Sequence, residues 1–200
     1  LHLCHHNLES ISDYDSNNAK HKLLLDVCMA AYYEGDSIKT HYPPYQHKYV
    51  NSDSQICTAL ARSFADIGDI VRGRDLYRRD NKKDKLDKNL KNIFKEIYDD
   101  VTSDKNGKNG AEAKEHYKDE DDKDPNYYKL REDWWTANRH TVWKALTCDD
   151  GLSNSKYFHA TCNGGKLTEG YCRCDGDKPG HDKPNTDPPT YFDYVPQYLR

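Results

Sequence analysis

Apolar residues recur at three- and four-residue steps in four stretches of this 200-residue chain, the spacing that lines one face of an α-helix. In "HKLLLDVCMAAYY", residues 21–33, they fall on nearly every side, which predicts a buried helix. Residues 54–72 gather Ile56, Leu60, Phe64, Ile67 and Val71 on one stripe; Ser52, Asp53 or Ser54 can cap its start, and Gly73 can supply a left-handed stop. The clearest amphipathic pattern is "DKLDKNLKNIFKEIYDDV", with Leu86, Leu90, Ile93, Phe94, Ile97 and Val101 on one side. Asp124 and Pro125 have the chemistry of a cap and a first-turn proline. They open a fourth helix through "YYKLREDWWTANRHTVWKAL", where Tyr127, Leu130, Trp134, Val142, Trp143 and Leu146 are bulky anchors.

The intervening segments read differently. "HYPPYQHKY" carries two prolines and predicts an extended, exposed loop. Residues 102–124, "TSDKNGKNGAEAKEHYKDEDDKD", lack apolar periodicity and are expected to form a mobile surface loop. From Cys148 to Pro189 the chain is again loop, rich in Gly, Pro and Asp and holding four cysteines, for which disulfides are the natural restraint. No internal repeat is visible. The expected fold is all-α: a disulfide-bonded helical bundle of four helices around an aromatic core, with long surface loops.

Composition sharpens this picture. Only 35% of residues are hydrophobic and 32% are charged, with mean hydropathy −1.12, so solvated loops must dilute the helices. The 16 tyrosines and 3 tryptophans compensate, since each aromatic ring buries much apolar area. Seven cysteines suit an oxidising, extracellular setting, and the odd number asks for a partner outside the chain or a free thiol. The chain starts at Leu1 without an initiator Met, signal peptide or membrane-spanning apolar run, and "PPTYFDYVPQYLR" reads as the start of a further helix cut after Arg200. The expectation is a piece of a larger protein, with Cys4 as the cysteine separated from its mate. There is no Asn-x-Ser/Thr acceptor, and heavy use of Lys, Asn, Asp and Tyr hints at an A/T-rich genome.

Several candidate chemistries fail on their residues. Gly68 and Gly73 match the glycines of a phosphate-binding loop, but Arg74 stands in place of its lysine and Asp75 in place of its hydroxyl, and a helix pattern precedes them. Cys4, His5 and His6, and Cys172, Cys174 and His181, are metal-ligand types whose spacings do not form matching pairs, so no metal is assigned and disulfides are the expected use of the cysteines. Adjacent half-cystines in a C-x-C bond each other poorly, so Cys172 and Cys174 are expected to reach two different helices. Neither a nucleophile elbow nor an H-E-x-x-H is present, and most paired acids lie in the solvated loop; no enzyme activity, catalytic residue or cofactor is assigned. The run "RGRDLYRRDNKKDKLDKNLK" is different: Arg72, Arg74, Arg78, Arg79, Lys82, Lys83, Lys85, Lys88 and Lys91 concentrate positive charge in a chain of net charge −4. Such a patch attracts an extended polyanion, and outside a cell that polyanion is a sulfated glycosaminoglycan rather than a nucleic acid.

"SFADIGDIVRGRDLY" followed by "PPTYFDYVPQYLR" resembles the two ends of the sequence tag of the Duffy-binding-like alpha domain from erythrocyte membrane protein 1 of the malaria parasite Plasmodium falciparum. "LHLCHHNLE", "LLLDVCMAAYYEG" and "WWTANRHTVWKALTC" fit the same family, so the resemblance spans essentially the whole chain. It implies three disulfide-held helical subdomains, of which residues 1–20 would end the first, 21–188 form the second, and 189–200 lead by a helix toward the third. It further implies that Cys4 bonds a cysteine before residue 1, that Cys148 pairs with Cys162, and that Cys28 and Cys57 reach Cys172 and Cys174 in either order. The implied function is host-cell adhesion on the infected erythrocyte surface, with antigenically diverse loops and, in some variants, rosetting through heparan sulfate, blood-group sugars or complement receptor 1. The membrane anchor would lie elsewhere in the full-length protein, and neighbouring domains would be partners. The alternative is a non-binding scaffold or antigenic shield beside a receptor-binding domain. Charge, not the resemblance, nominates Arg78, Arg79, Lys82, Lys83, Lys85 and Lys88 as glycan contacts.

Overall fold

The computed structural model describes residues 19–42, 55–74, 81–118 and 126–200, and the side chains of 81–84 are outside that description. Five α-helices occur among the described residues: α1 Ala19–His41, α2 Gln55–Arg72, α3 Asn81–Val101, α4 Lys108–His116 and α5 Tyr128–Leu146. There is no β-strand among them, only three isolated bridges.

α5 is the hub, packing against α1, α2 and α3. Its Trp135 and Trp143 are almost fully buried and both meet Phe64 of α2, at ring centroid distances of 5.1 and 5.2 Å. Trp134 meets Phe94 of α3 edge-on at 6.2 Å. Each predicted stripe faces this aromatic centre: Leu60, Phe64, Ile67 and Val71 from α2, and Leu86, Leu90, Ile93, Phe94 and Ile97 from α3. Burial of rings this large supplies apolar area that a hydrophobic fraction of 35% would otherwise leave short.

α1 departs from expectation. Leu23, Val27, Ala30 and Ala31 are buried, but Leu25, Tyr32 and Tyr33 are exposed, because its packing partners cover one side only. α5 also starts later than expected. Tyr127 sits in the left-handed region at φ 55°, which a right-handed helix cannot continue through, so the helix begins at Tyr128. Asp124 and Pro125 lie outside the described residues, as do the three candidate caps of α2 and most of "HYPPYQHKY".

The segment expected as a mobile loop contains a 3-10 turn at Asp104–Asn106 and then α4. Ser103 caps the turn by accepting from the Lys105 N–H, and Gly107 at φ 56° separates turn from helix. The α4 sequence "KNGAEAKEH" is rich in good helix formers but has no apolar stripe, so periodicity could not reveal it. Similarly, the tail read as a further helix forms two single-turn 3-10 helices, Phe192–Tyr194 and Gln197–Leu199, because Pro196 interrupts.

The long segment after α5 is irregular, as expected, and disulfides restrain it. Cys57 of α2 bonds Cys172, one of the alternatives left open. Cys162 bonds Cys174 and not Cys148, so the C-x-C reaches one helix and one loop. Cys28 and Cys148 are free thiols, which corrects their expected pairing. The local fold explains the exchange: residues 162–166 close a tight turn, with Cys162 and Lys166 trading backbone hydrogen bonds of 3.0 and 2.7 Å, and this presents Cys162 beside Cys174. Arg173, between the two half-cystines, donates to Thr147 Oγ1 and to the Lys144 carbonyl, both at 2.7 Å, and so ties the loop to the end of α5. Cys4 lies outside the described residues.

Candidate binding face

The run "SFADIGDIVRGRDLY" works as a helix end. Gly68 faces α5 so closely that an added Cβ would lie 2.8 Å from the Trp135 ring. Gly73 adopts φ 71° and ends α2 in a Schellman motif: the Gly73 N–H donates to the Ile70 carbonyl at 3.1 Å and the Arg74 N–H to the Asp69 carbonyl at 2.8 Å. Arg131 of α5 finishes the cap, donating to the Val71 carbonyl at 2.6 Å and the Ile70 carbonyl at 3.1 Å. The glycines serve packing and capping.

The basic run divides along this structure. Arg72 is 1% exposed: it donates to the Gly68 carbonyl at 3.0 Å, to Asp69 and Glu132 at 3.2 Å each, and to the Asp193 carbonyl. Arg74 is exposed but paired with Glu132 at 2.7 Å. Arg78 and Arg79 lie outside the described residues, and Lys82 and Lys83 fall in the first turn of α3 with undescribed side chains. Lys85 and Lys88 are exposed one turn apart, on the side opposite Leu86, Leu90 and Phe94. Of the acids interleaved with them, Asp87 is engaged by Arg131 at 3.4 Å, which draws its charge inward. A cationic end of α3 therefore remains.

Charge runs along α3 against its dipole. A helix N-terminus is the positive end, where lysines are disfavoured by a few tenths to 1 kcal/mol each, and acids are disfavoured at the C-terminus. α3 has Lys82 and Lys83 with the single acid Asp84 in its first turn, Lys85 and Lys88 just after, and Asp99 and Asp100 with no basic residue in its last turn. Helix stability does not account for that order.

The largest polar cluster is buried and went unnoticed in the sequence. Asp193, fully buried, accepts from Arg139 Nε at 2.8 Å and Nη2 at 2.9 Å, and from Trp135 Nε1 at 2.9 Å. Burial opposes the charge on Arg139, and the Asp193 hydrogen bonds and charge more than offset it, so the guanidinium pKa is raised. Arg200 pairs with Asp69, whose carboxyl burial pushes upward while Arg200 and Arg72 pull it down. These pairs clamp the C-terminal strap, residues 190–200, onto α2 and α5. Arg139 and Asp193 stand 54 residues apart, and no local motif links them.

Among the described residues no group of three or more His, Cys, Asp or Glu is arranged to hold a metal, and no helix is long and apolar enough to cross a membrane.

A family profile for the Duffy binding domain matches residues 1–200. The chain belongs to this family. Its fold is similar to that of the NTS-DBL1(alpha-1) domain of Plasmodium falciparum membrane protein 1 (PfEMP1) from the varO strain, at 42% identity and TM-score 0.72 over 99% of this chain and 40% of that one. An ICAM-1-binding PfEMP1 DBLbeta domain matches at 33% identity and TM-score 0.68, over 100% of this chain and 39% of that one. A PfEMP1 DBLb domain bound to human ICAM-1 matches at 28% identity and TM-score 0.63, over 99% of this chain and 36% of that one. Comparison with curated protein sequences gave no match. This Duffy binding domain chain thus spans about two-fifths of the solved chains it resembles. The all-α, disulfide-bonded Duffy-binding-like architecture expected from its motifs is the one found.

Proposed function

We propose that this Duffy binding domain is an extracellular adhesion module of a longer protein on infected erythrocytes, and that the basic end of α3 meets a sulfated host glycan such as heparan sulfate. The adhesive part is supported by the family and by two similar domains, one described as ICAM-1-binding and one as bound to human ICAM-1. The glycan part rests on one observation: the reversed charge order of α3, which costs helix stability and leaves Lys85 and Lys88 exposed beside the Lys82 and Lys83 positions. Arg78 and Arg79 continue the same run toward α2. Bound through such contacts, a variant of this kind would support cytoadhesion and rosetting. In the same reading residues 1–20, 21–188 and 189–200 are the end of a first subdomain, a second subdomain and the lead into a third.

A scaffold or antigenic-shield role is favoured by the acidic half of α3, where Lys95 is already paired with Asp99 at 2.8 Å, and by the net charge of −4.

Retention on immobilised heparin across a salt series separates the two. The adhesive reading expects log affinity to fall linearly with log salt, and Lys85→Glu with Lys88→Glu to flatten the slope by about one for each lost contact. Unretained protein at low salt, or an unchanged slope in the double variant, refutes the glycan contact.

A further inference from the structure

The stretch Lys156–Thr168, "KYFHATCNGGKLT", lies in the irregular segment after α5, apart from the helices and from the basic run. Its ends are held together twice. The Tyr157 N–H donates to Thr168 Oγ1 at 2.7 Å, and Cys162 pairs with Lys166 across the tight turn. Between those two ties, the four residues 158–161 stand opposite the single residue Leu167. Four residues cannot span the distance that one does without bowing outward, so the segment bulges, and residues 158–161 are all exposed.

The bulge carries apolar groups into solvent. Phe158 is 45% exposed and Leu167 57%. The His159 ring packs on Phe158 at 3.9 Å, and Phe158 in turn leans on the buried Tyr157 ring at 5.0 Å. The base is rigid: Tyr157 hydrogen-bonds Thr190 Oγ1 at 3.2 Å, Thr161 Oγ1 donates to the Pro189 carbonyl, and Cys162 is fixed to Cys174. Ordering such a loop on binding costs little, because the fold has already ordered it.

Lys156 and Lys166 flank the apolar groups, and the stretch contains no carboxylate although the chain has an excess of acids. Neither lysine is paired with a carboxylate among the described residues. Of the acids on either side of the stretch, Asp149 is paired with Lys39, Glu169 lies beside Gly176 and Asp175 accepts from Asn163, while Asp150 is exposed.

We propose that this braced bulge is a second adhesive surface, for a host cell-surface protein that offers an apolar pocket rimmed by carboxylates. An aromatic and aliphatic centre with a cationic rim is the anatomy of a protein-docking patch. Two large apolar side chains left in solvent, Phe158 and Leu167, match an apolar pocket on a protein, and the lysines match carboxylates at its rim. The proposal rests on the adhesive reading above but on different residues.

The test is binding of the purified, disulfide-intact chain to human endothelial cells and erythrocytes by flow cytometry, with cells untreated, heparinase-treated or trypsin-treated. A heparinase-resistant, trypsin-sensitive fraction is expected. Phe158→Ser with Leu167→Ser should weaken that fraction by about tenfold or more, and Lys156→Glu with Lys166→Glu should weaken it and reduce its salt dependence. All four side chains are exposed, so circular dichroism and the melting midpoint should not move. The Lys85→Glu and Lys88→Glu variant should lose only the heparinase-sensitive fraction, so failure of the α3 site and failure of the bulge give different results. Absence of a trypsin-sensitive fraction, its survival in both bulge variants, or loss of bulge-dependent binding to heparinase alone would each overturn the proposal.

Discussion

Replacing Asp193 by Ala should be among the most damaging single changes in this domain. It removes three acceptor contacts, two from Arg139 and one from Trp135 Nε1, and leaves a guanidinium that is 6% exposed with the Thr190 carbonyl, at 2.8 Å, as its remaining hydrogen-bond acceptor among the described residues. Breaking a buried pair on one side costs about 3–5 kcal/mol, because the remaining charge cannot be resolvated. Set against a total stability of about 5–15 kcal/mol, that is a large share. With a urea m-value near 3 kcal/mol/M, the upper end for small proteins, the unfolding midpoint should fall by about 1–1.7 M. Tryptophan fluorescence is the natural readout, since Trp135 is itself a partner of Asp193. Replacing both partners, Asp193→Leu with Arg139→Met, should recover much of the loss, because the uncompensated charge goes with its partner. A single-variant loss below about 1 kcal/mol, or a double variant as unstable as the sum of both, would refute the view that the strap is clamped by this ion pair.

Two further predictions concern titration. Burial pushes the Cys28 thiol up to about 11, so at pH 8 only about a thousandth of it is thiolate, whereas Cys148 is exposed. Iodoacetamide labelling followed by peptide mass spectrometry should modify Cys148 well before Cys28, and equal rates would show that Cys28 is not shielded. His140 is held below its ordinary value near 6.5 by burial, and by the charges of Lys144 and Arg139 against the opposing pull of Asp187. The unfolded chain therefore takes up the proton first: the stability contribution of neutral His140 is complete above about 6.5 and is lost as pH falls through its lower folded value. Urea midpoints measured from pH 7.5 down to 5 should fall less steeply in His140→Gln, and parallel profiles would count against the assignment.

What could be read from the chain was whatever a short window contains. The stripes of α2 and α3 follow from residues three and four apart, and the Gly73 stop from a single residue's freedom at positive φ, so both were visible without a fold. The same holds for the family, whose motifs are contiguous strings. α4 escaped because helix formers without an apolar stripe leave no periodic trace. Tertiary structure alone decided which positive charges are available. Arg72 and Lys85 look alike in sequence, yet one is sealed between α2, α5 and the strap while the other faces water, because their helices turn them toward different neighbours. It also decided the cysteine partners and joined Arg139 to Asp193, since pairing depends on distances that chain separation does not encode. Local patterning sets which helices form and which face of each is apolar; the packing of those faces then sets which polar groups meet, which are buried and which are left for a partner.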